Sequence, residues 1–134
     1  MNRKKEREQA FYLIFEKCFS EDSLDEILEL AEECREIETT DYIKNVFYGV
    51  FENVSVIDEI ISKYSIGWKI DRISKVALSI LRLAIYEIKF IDDIPSKVSV
   101  NEAVELAKLF SDDDVKNMIN GILDKIYKDK VDHE

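Results

Sequence analysis

The residues best placed to do chemistry in this chain are cations at its very start. Arg3, Lys4, Lys5 and Arg7 crowd the stretch MNRKKEREQAFYLIF, in which Ala10, Phe11, Ile14, Phe15 and Cys18 recur at three- and four-residue steps. That spacing predicts an amphipathic helix with Asn2 as its cap. The cations therefore sit at the positive end of the helix dipole, where each opposes it by roughly 0.3–1 kcal/mol. Arg3 and Arg7 lie one turn apart on one face with Lys4 beside them, a cluster that could reach the phosphates of a nucleic acid. The competing reading is a solvated, frayed terminus in which Glu6 and Glu8 offset part of the charge.

Catalytic constellations are harder to assemble. His133 is the single histidine and sits in the tail, which leaves no partner set for a Ser-His-Asp or Cys-His nucleophile or for a di-iron Glu-x-x-His site. The pairs Glu29/Glu33 and Glu32/Glu36 have metal-like spacing, but no histidine or third-helix ligand accompanies them, so they read as a solvated acidic face. No glycine loop suited to phosphates occurs. The expectation is a protein that is not an enzyme and carries no cofactor or metal.

The elements that must position those cations come from the rest of the 134 residues, enough for one domain with a real core. Three glycines and one proline argue against a β-sandwich, a barrel or a disordered linker. The longest apolar run, Val46 to Phe51, cannot span a bilayer, and the charged start has no signal-peptide core. Cys18 and Cys34 form no CxxC pair and fit a reducing cytoplasm as free thiols, with a disulfide between them as the alternative. Ten acids face one base, Arg35, between Glu21 and Asp41, so this segment holds −9 of the net −10. The acidity is local and leaves room for a basic face elsewhere.

Further helices are marked by caps and apolar stripes. Ser23 with Glu26 forms a capping box ahead of Leu24, Ile27, Leu28, Ala31 and Cys34. Thr39 or Thr40 precedes Ile43, Val46, Phe47, Val50 and Phe51. Ser55 with Asp58 resembles another box, and SIGWK then breaks the pattern. The most apolar helix is expected from Asp71 to about Phe90, with an arc wide enough for a central helix. DDIPSK is a turn limited by Pro95. Ser99 with Glu102 is expected to cap a sixth helix and Ser111 with Asp114 a seventh, and the tail KDKVDHE to fray. The fold class is all-α, about seven helices in two packed helical subdomains, with residues 1–134 forming a single domain.

NMINGILDKI raises a separate question, because Asn-Gly signals a turn while Ile119, Ile122, Leu123 and Ile126 keep helical spacing through it. A mid-helix glycine is about 1 kcal/mol less favourable than alanine. Close approach of a neighbouring helix to Gly121, with Asn120 buried and bonded outside its own helix, is the expectation.

Three blocks carry a resemblance. WKIDRISKVALSILRLAIYEIKF contains a W-x-x-x-R segment followed by LR-x-A-x-YE. DIPSKVSVNEAVELAKLF contains IP-x-x-V-x-x-NEA-x-E-x-AK, and MINGILDKI has the form of an NG-x-LD-x-I ending. In this order and spacing they resemble the NusB family of bacterial transcription antitermination factors, and REQAF near the start resembles that family's R-E-x-A. The resemblance implies a cytoplasmic factor that binds single-stranded boxA RNA of nascent ribosomal RNA transcripts together with NusE, a small-subunit ribosomal protein, within the elongation complex and with no membrane association. It implies RNA contacts from Arg3, Lys4, Lys5 and Arg7 and from Lys97, Lys108 and Lys116. It implies a NusE-facing surface at Phe15, Asp71, Arg72, Lys75 and Ala77, although Ala77 stands where the family commonly has an acid. Arg82, Glu87, Asn101, Glu102, Asn120 and Gly121 belong to the motifs themselves. The alternatives are a helical protein–protein adaptor that never touches RNA and a NusB-like domain of a ribosomal-RNA-modifying enzyme. The chain leaves no room for a cofactor fold, which favours the stand-alone factor.

Overall fold

Side-chain caps and apolar stripes between them set the helix boundaries. The computed structural model describes residues 1–35 and 37–132, and over these residues it contains seven helices and no strand. They are α1 (Arg3–Lys17), α2 (Leu24–Cys34), α3 (Asp41–Glu52), α4 (Val54–Tyr64), α5 (Lys75–Phe90), α6 (Ser96–Phe110) and α7 (Asp113–Asp132), with a short 3₁₀ turn at Ile70–Arg72 before α5. Asn2 Oδ1 accepts from the Lys5 amide at 2.9 Å, Ser23 Oγ from the Glu26 amide at 3.1 Å and Thr40 Oγ1 from the Ile43 amide at 3.4 Å. Each satisfies an amide that the first turn of a helix leaves without a partner.

Four boundaries differ from the sequence reading, each because another residue stands at the helix end. α4 starts directly after α3, with Asn53 standing at both ends and donating its side-chain Nδ2 to the Gly49 carbonyl at 2.8 Å. Ser55 is therefore inside α4, and the Asp58 carboxylate is held by the Arg82 guanidinium at 2.9 and 3.0 Å. α5 starts four residues after Asp71, because Ser74 accepts from the Ala77 amide at 3.2 Å. α6 begins right after Pro95, whose ring sets φ at −58°. That places Ser99 inside the helix, where its buried Oγ has no partner among the described residues. Asp112 Oδ1, not Ser111, accepts from the Val115 amide of α7 at 2.9 Å, and the Ser111 hydroxyl donates back to the Ala107 carbonyl at 2.7 Å. α7 continues to Asp132 without fraying before it. Residues 133–134, and with them His133, lie outside the described residues, as does Glu36 of the Glu32/Glu36 pair.

α5 is the shared element. It packs on α1 and α3 on the one hand and on α4, α6 and α7 on the other. Leu78, Ile80, Leu81, Leu83, Ala84, Ile85 and Ile88 are all buried, so its apolar surface runs nearly all round, as a central helix requires. One continuous core joins both groups of helices. Gly67 takes φ +84° in SIGWK, a conformation that glycine adopts without strain, and turns the chain between α4 and the 3₁₀ turn. Cys18 and Cys34 are free thiols.

The α3–α5 contact depends on a missing side chain. Gly49 is buried, and a Cβ there would overlap the Tyr86 ring, whose hydroxyl donates to Asn45 Oδ1 at 2.5 Å. Gly49→Ala therefore forces the ring or the helix to move. It should lower the unfolding free energy by about 1–3 kcal/mol, the range for an overpacked core, read as a lower urea midpoint with the slope unchanged. An unchanged midpoint would show that the ring moves aside freely.

Candidate nucleic-acid interface

The four N-terminal cations separate once the helix forms. Arg3, Lys4 and Lys5 are exposed on the first turn of α1. The Arg3 guanidinium lies 4.3 Å from the Tyr42 ring centroid, with its Nε 3.5 Å from the Glu6 carboxylate. Arg7, one turn on, points inward and is only 4% exposed. Its Nε donates to both oxygens of Glu87, at 3.0 and 3.3 Å, and its Nη1 lies 3.8 Å from Glu102. The Tyr42 hydroxyl donates to the same Glu87 carboxylate at 2.5 Å. Arg7 is therefore part of a buried charge network linking α1, α3, α5 and α6. Burial works against its charge, yet Glu87, with Tyr42 and Glu102, more than offsets this and holds the guanidinium above its ordinary pKa. The Tyr42 phenol is pushed well above its usual range, first by burial and then by Glu87.

Around this anchor two shallow depressions open along α6. The first, about 420 Å³, lies between the start of α1 and the turn into α6; Arg3, Lys4, Ile94, Pro95 and Val98 line it together with the carboxylates Asp93 and Glu102. The second, about 550 Å³, lies between α6 and α7 and is lined by Asn101, Lys108, Lys116, Asn117 and Asn120. A narrow cleft joins them, bordered by Lys4 and by the carboxylates Glu8, Glu102 and Glu105; Lys4 also lines the first depression and Glu105 the second. Lys108 holds Glu105 at 3.1 Å, and this contact, reinforced by Lys4, keeps the carboxyl below its ordinary pKa. Lys116 sits 3.7 Å from Asp113. The result is one surface track from the start of α1, across α6, to the exposed face of α7. Cations border it at both ends, carboxylates line its near half and the cleft between, and side-chain amides line its far half.

Of the cations named from the sequence, Arg3, Lys4, Lys108 and Lys116 meet on this track. Lys5 and Lys97 are exposed but line neither depression. Asn101 and Asn120 border the second depression, whereas Arg82 is engaged with Asp58 and Glu87 with Arg7 and Tyr42. The expectation for Asn120 and Gly121 is overturned. Both are exposed, and a Cβ on Gly121 would meet nothing within 4 Å. The stripe Ile119–Ile122–Leu123–Ile126 is what α7 buries, and it turns the Asn-Gly pair outward.

The residues assigned to a partner protein divide similarly. Asp71, Arg72 and Lys75 are exposed, and Phe15 is half-buried, with its ring 5.0 Å from that of Phe19. Phe19 is 68% exposed and was not singled out by the sequence reading, because it follows the last turn of the stripe. Ala77 is fully buried, so its own methyl group meets the core and cannot touch a partner. Trp68 and Ile66, in the SIGWK loop, are also exposed at 53% and 76% and carried no periodic signal. Among the described residues no cluster could hold a metal ion, and no helix is long and apolar enough to cross a membrane.

Comparison with known proteins bears on this geometry. The model of the NusB family matches residues 4–128. The transcription antitermination protein NusB of Natranaerobius thermophilus is 50% identical over 131 residues, covering 94% of each chain. That of Ruminiclostridium cellulolyticum is 44% identical, covering 100% of this chain and 94% of its own. Among solved structures, NusB of T. maritima superposes with a TM-score of 0.85 at 34% identity, over 96% of this chain and 92% of that one. A complex of the antitermination factors NusB and NusE with dsRNA contains a chain that superposes with a TM-score of 0.83 at 27% identity, over 94% of this chain and 96% of that one.

Proposed function

The chain belongs to the NusB family, and from that premise we propose that it is a cytoplasmic transcription antitermination factor. It binds boxA RNA of nascent ribosomal RNA transcripts together with NusE and supports processive transcription, with no catalytic activity of its own. Residues 1–134 act as one RNA-binding domain. The observation that carries this reading is the track bordered by Arg3, Lys4, Lys108 and Lys116. It gathers cations from three helices onto one face of a chain whose net charge is −10, as phosphate binding requires. Lys5 and Lys97 add to the field from beside the track. Arg7 serves it indirectly, by fixing the start of α1 against α5 and α6. NusE docks at the end of α1, on half-buried Phe15 and on exposed Phe19 just beyond the helix, and on Asp71, Arg72 and Lys75 at the approach to α5, with Ala77 supporting that surface from beneath.

Few cations hold the strand, so RNA alone binds weakly. A partner docked on α1 and α5 that also touches the strand turns two weak contacts into one effective one through local concentration. BoxA affinity should rise at least about tenfold when NusE of the same organism is added, equivalent to about 1.4 kcal/mol. By linkage, boxA RNA should tighten the contact with NusE by the same factor. Fluorescence titration of labelled boxA RNA with and without NusE measures this, and equal affinity in the two titrations would point to an adaptor or an independent RNA binder instead.

A further inference from the structure

The loop between α4 and the 3₁₀ turn carries a surface that RNA binding does not use. Ile66 is 76% exposed, the highest value for a large apolar side chain among the described residues, and Trp68, the one tryptophan of the chain, is 53% exposed. Exposed apolar groups gathered in one place and rimmed by charge mark a contact site on a soluble protein. Trp68 and Arg72 line two hollows and stand between them. One, about 510 Å³, continues to Gly67 and Lys69. The other, about 170 Å³, continues to Ile73, Val115 and Met118 and is edged by Asp114. Asp112 and Asp113 stand exposed beside Asp114 at the start of α7. Lys69, Arg72 and Asp114 make no ion pair among the described residues. The order along this surface is therefore basic, aromatic, acidic. A nucleic acid would meet the three aspartates with like charge, and a uniformly basic or acidic protein would meet one end so. A second copy of this chain, turned about a two-fold axis at Trp68, presents the same order reversed.

We propose that this surface is the contact of a weak symmetric dimer, in which Trp68 and Ile66 of each copy cover the apolar hollow of the other and Lys69 meets Asp114 across the axis. An isologous contact of this kind uses one patch twice and closes on itself. Its centre holds Trp68, Arg72 and Met118, residue types in which interface cores are enriched. The patch is small, and a net charge of −10 on each chain opposes approach. Pairing therefore follows concentration by mass action. The dimer stands independently of RNA binding, but Arg72 also belongs to the surface proposed for NusE. A chain that has bound NusE has no free dimer contact, so the dimer is the form taken in the absence of that partner.

Sedimentation velocity over a concentration series reads the dimer directly. The wild-type chain should pass from one copy to two. Trp68→Ala should raise the dimer dissociation constant at least about tenfold, because an interface tryptophan is lost from both copies at once. Charge exchange supplies an arm that misfolding cannot imitate. Lys69→Glu and Asp114→Lys each set like charges across the axis, so each variant alone should remain single at concentrations where the wild type pairs. Mixed in equal amounts they should pair again, because each substitution then faces the opposite charge in a mixed dimer. A wild-type chain that stays single throughout overturns the inference. So do single variants that pair as strongly as the wild type, or that fail to pair on mixing. If Trp68→Ala pairs as the wild type does but binds NusE less tightly, the patch belongs to the NusE contact, and the inference fails while the proposed function stands. If NusE joins the dimer without separating it, the copies meet elsewhere and the inference fails as well.

Discussion

Arg7→Gln should lower the unfolding free energy by about 3–5 kcal/mol, the range for removing one member of a buried ion pair. The loss arises less from the missing attraction than from what is left behind. Glu87 is fully buried, and its charge would face no cation at this position, only neutral donors such as the Tyr42 hydroxyl and the shorter glutamine amide. Arg7→Lys should recover part of the loss, because a single ammonium cannot reproduce the contact of the planar guanidinium with both Glu87 oxygens. The contrast lies one turn earlier. Exchanging Arg3, Lys4 and Lys5 for Gln removes exposed cations from the positive end of the helix dipole and should leave stability unchanged or slightly raised. Urea unfolding of the two variants measures the difference, and an Arg7→Gln chain within 1 kcal/mol of wild type would mean that the network is not sustaining the α1–α5 contact.

The same network sets an alkaline limit. A phenol whose pKa is raised in the folded state holds its proton where the unfolded chain has lost it. The stability it contributes is complete below the unfolded value, near pH 10, and is lost as pH rises above it. Tyr42 is raised most strongly, by burial and then by Glu87. Tyr48 adds to the effect, pushed up to about 12 by its hydrogen bond to Asp25. Tyr42→Phe should therefore flatten part of the fall in stability above pH 10, on a chain that starts less stable because Glu87 has lost a donor.

How far the sequence revealed this molecule differs by residue. Ser23 and Thr40 cap the helices their spacing announced, since an N-cap is a local bond three residues long. Ser55, Ser99 and Ser111 had the same local pattern and do not cap. Their helix ends are decided by Asn53, by Pro95 and by Asp112, and no local rule ranks such competitors. The cations at the start of α1 were legible as a cluster but not as two groups. Only the fold brings Glu87, 80 positions away, against Arg7 while leaving Arg3 and Lys4 outside. Asn120 and Gly121 could have been placed from the sequence itself. The stripe of Ile119, Ile122, Leu123 and Ile126 already put both on the far side of the helix, and the rarity of a helical Asn-Gly drew attention to burial when the periodicity spoke for exposure. Ala77 shows the reverse, a position that a family pattern marks for contact and that this chain's packing encloses.

The division of the cations fixes how RNA binding should respond to salt. Four freely available N-terminal charges would each neutralise a phosphate, with a combined log–log slope near −3 for a single strand. With Arg7 held by Glu87, the strand must find its charge along the track, where Lys4, Lys108 and Lys116 come from three different helices. Exchanging these three for Gln should flatten the slope by about 2, at roughly 0.7 per phosphate contact. Extrapolated from 1 M, where counterion release contributes little, that slope corresponds to a loss of about a hundredfold in affinity at 0.1 M salt. The fold should not suffer. Lys108 and Lys116 pair with Glu105 and Asp113 only one turn away at the surface, and such exposed, solvent-screened pairs add little to stability. Lys5→Gln with Lys97→Gln removes two exposed cations beside the track and should change the slope much less. If that pair of substitutions flattens the slope as strongly as the three on the track, the strand follows the outer side of α1 instead, and the groove between α6 and α7 is not its path.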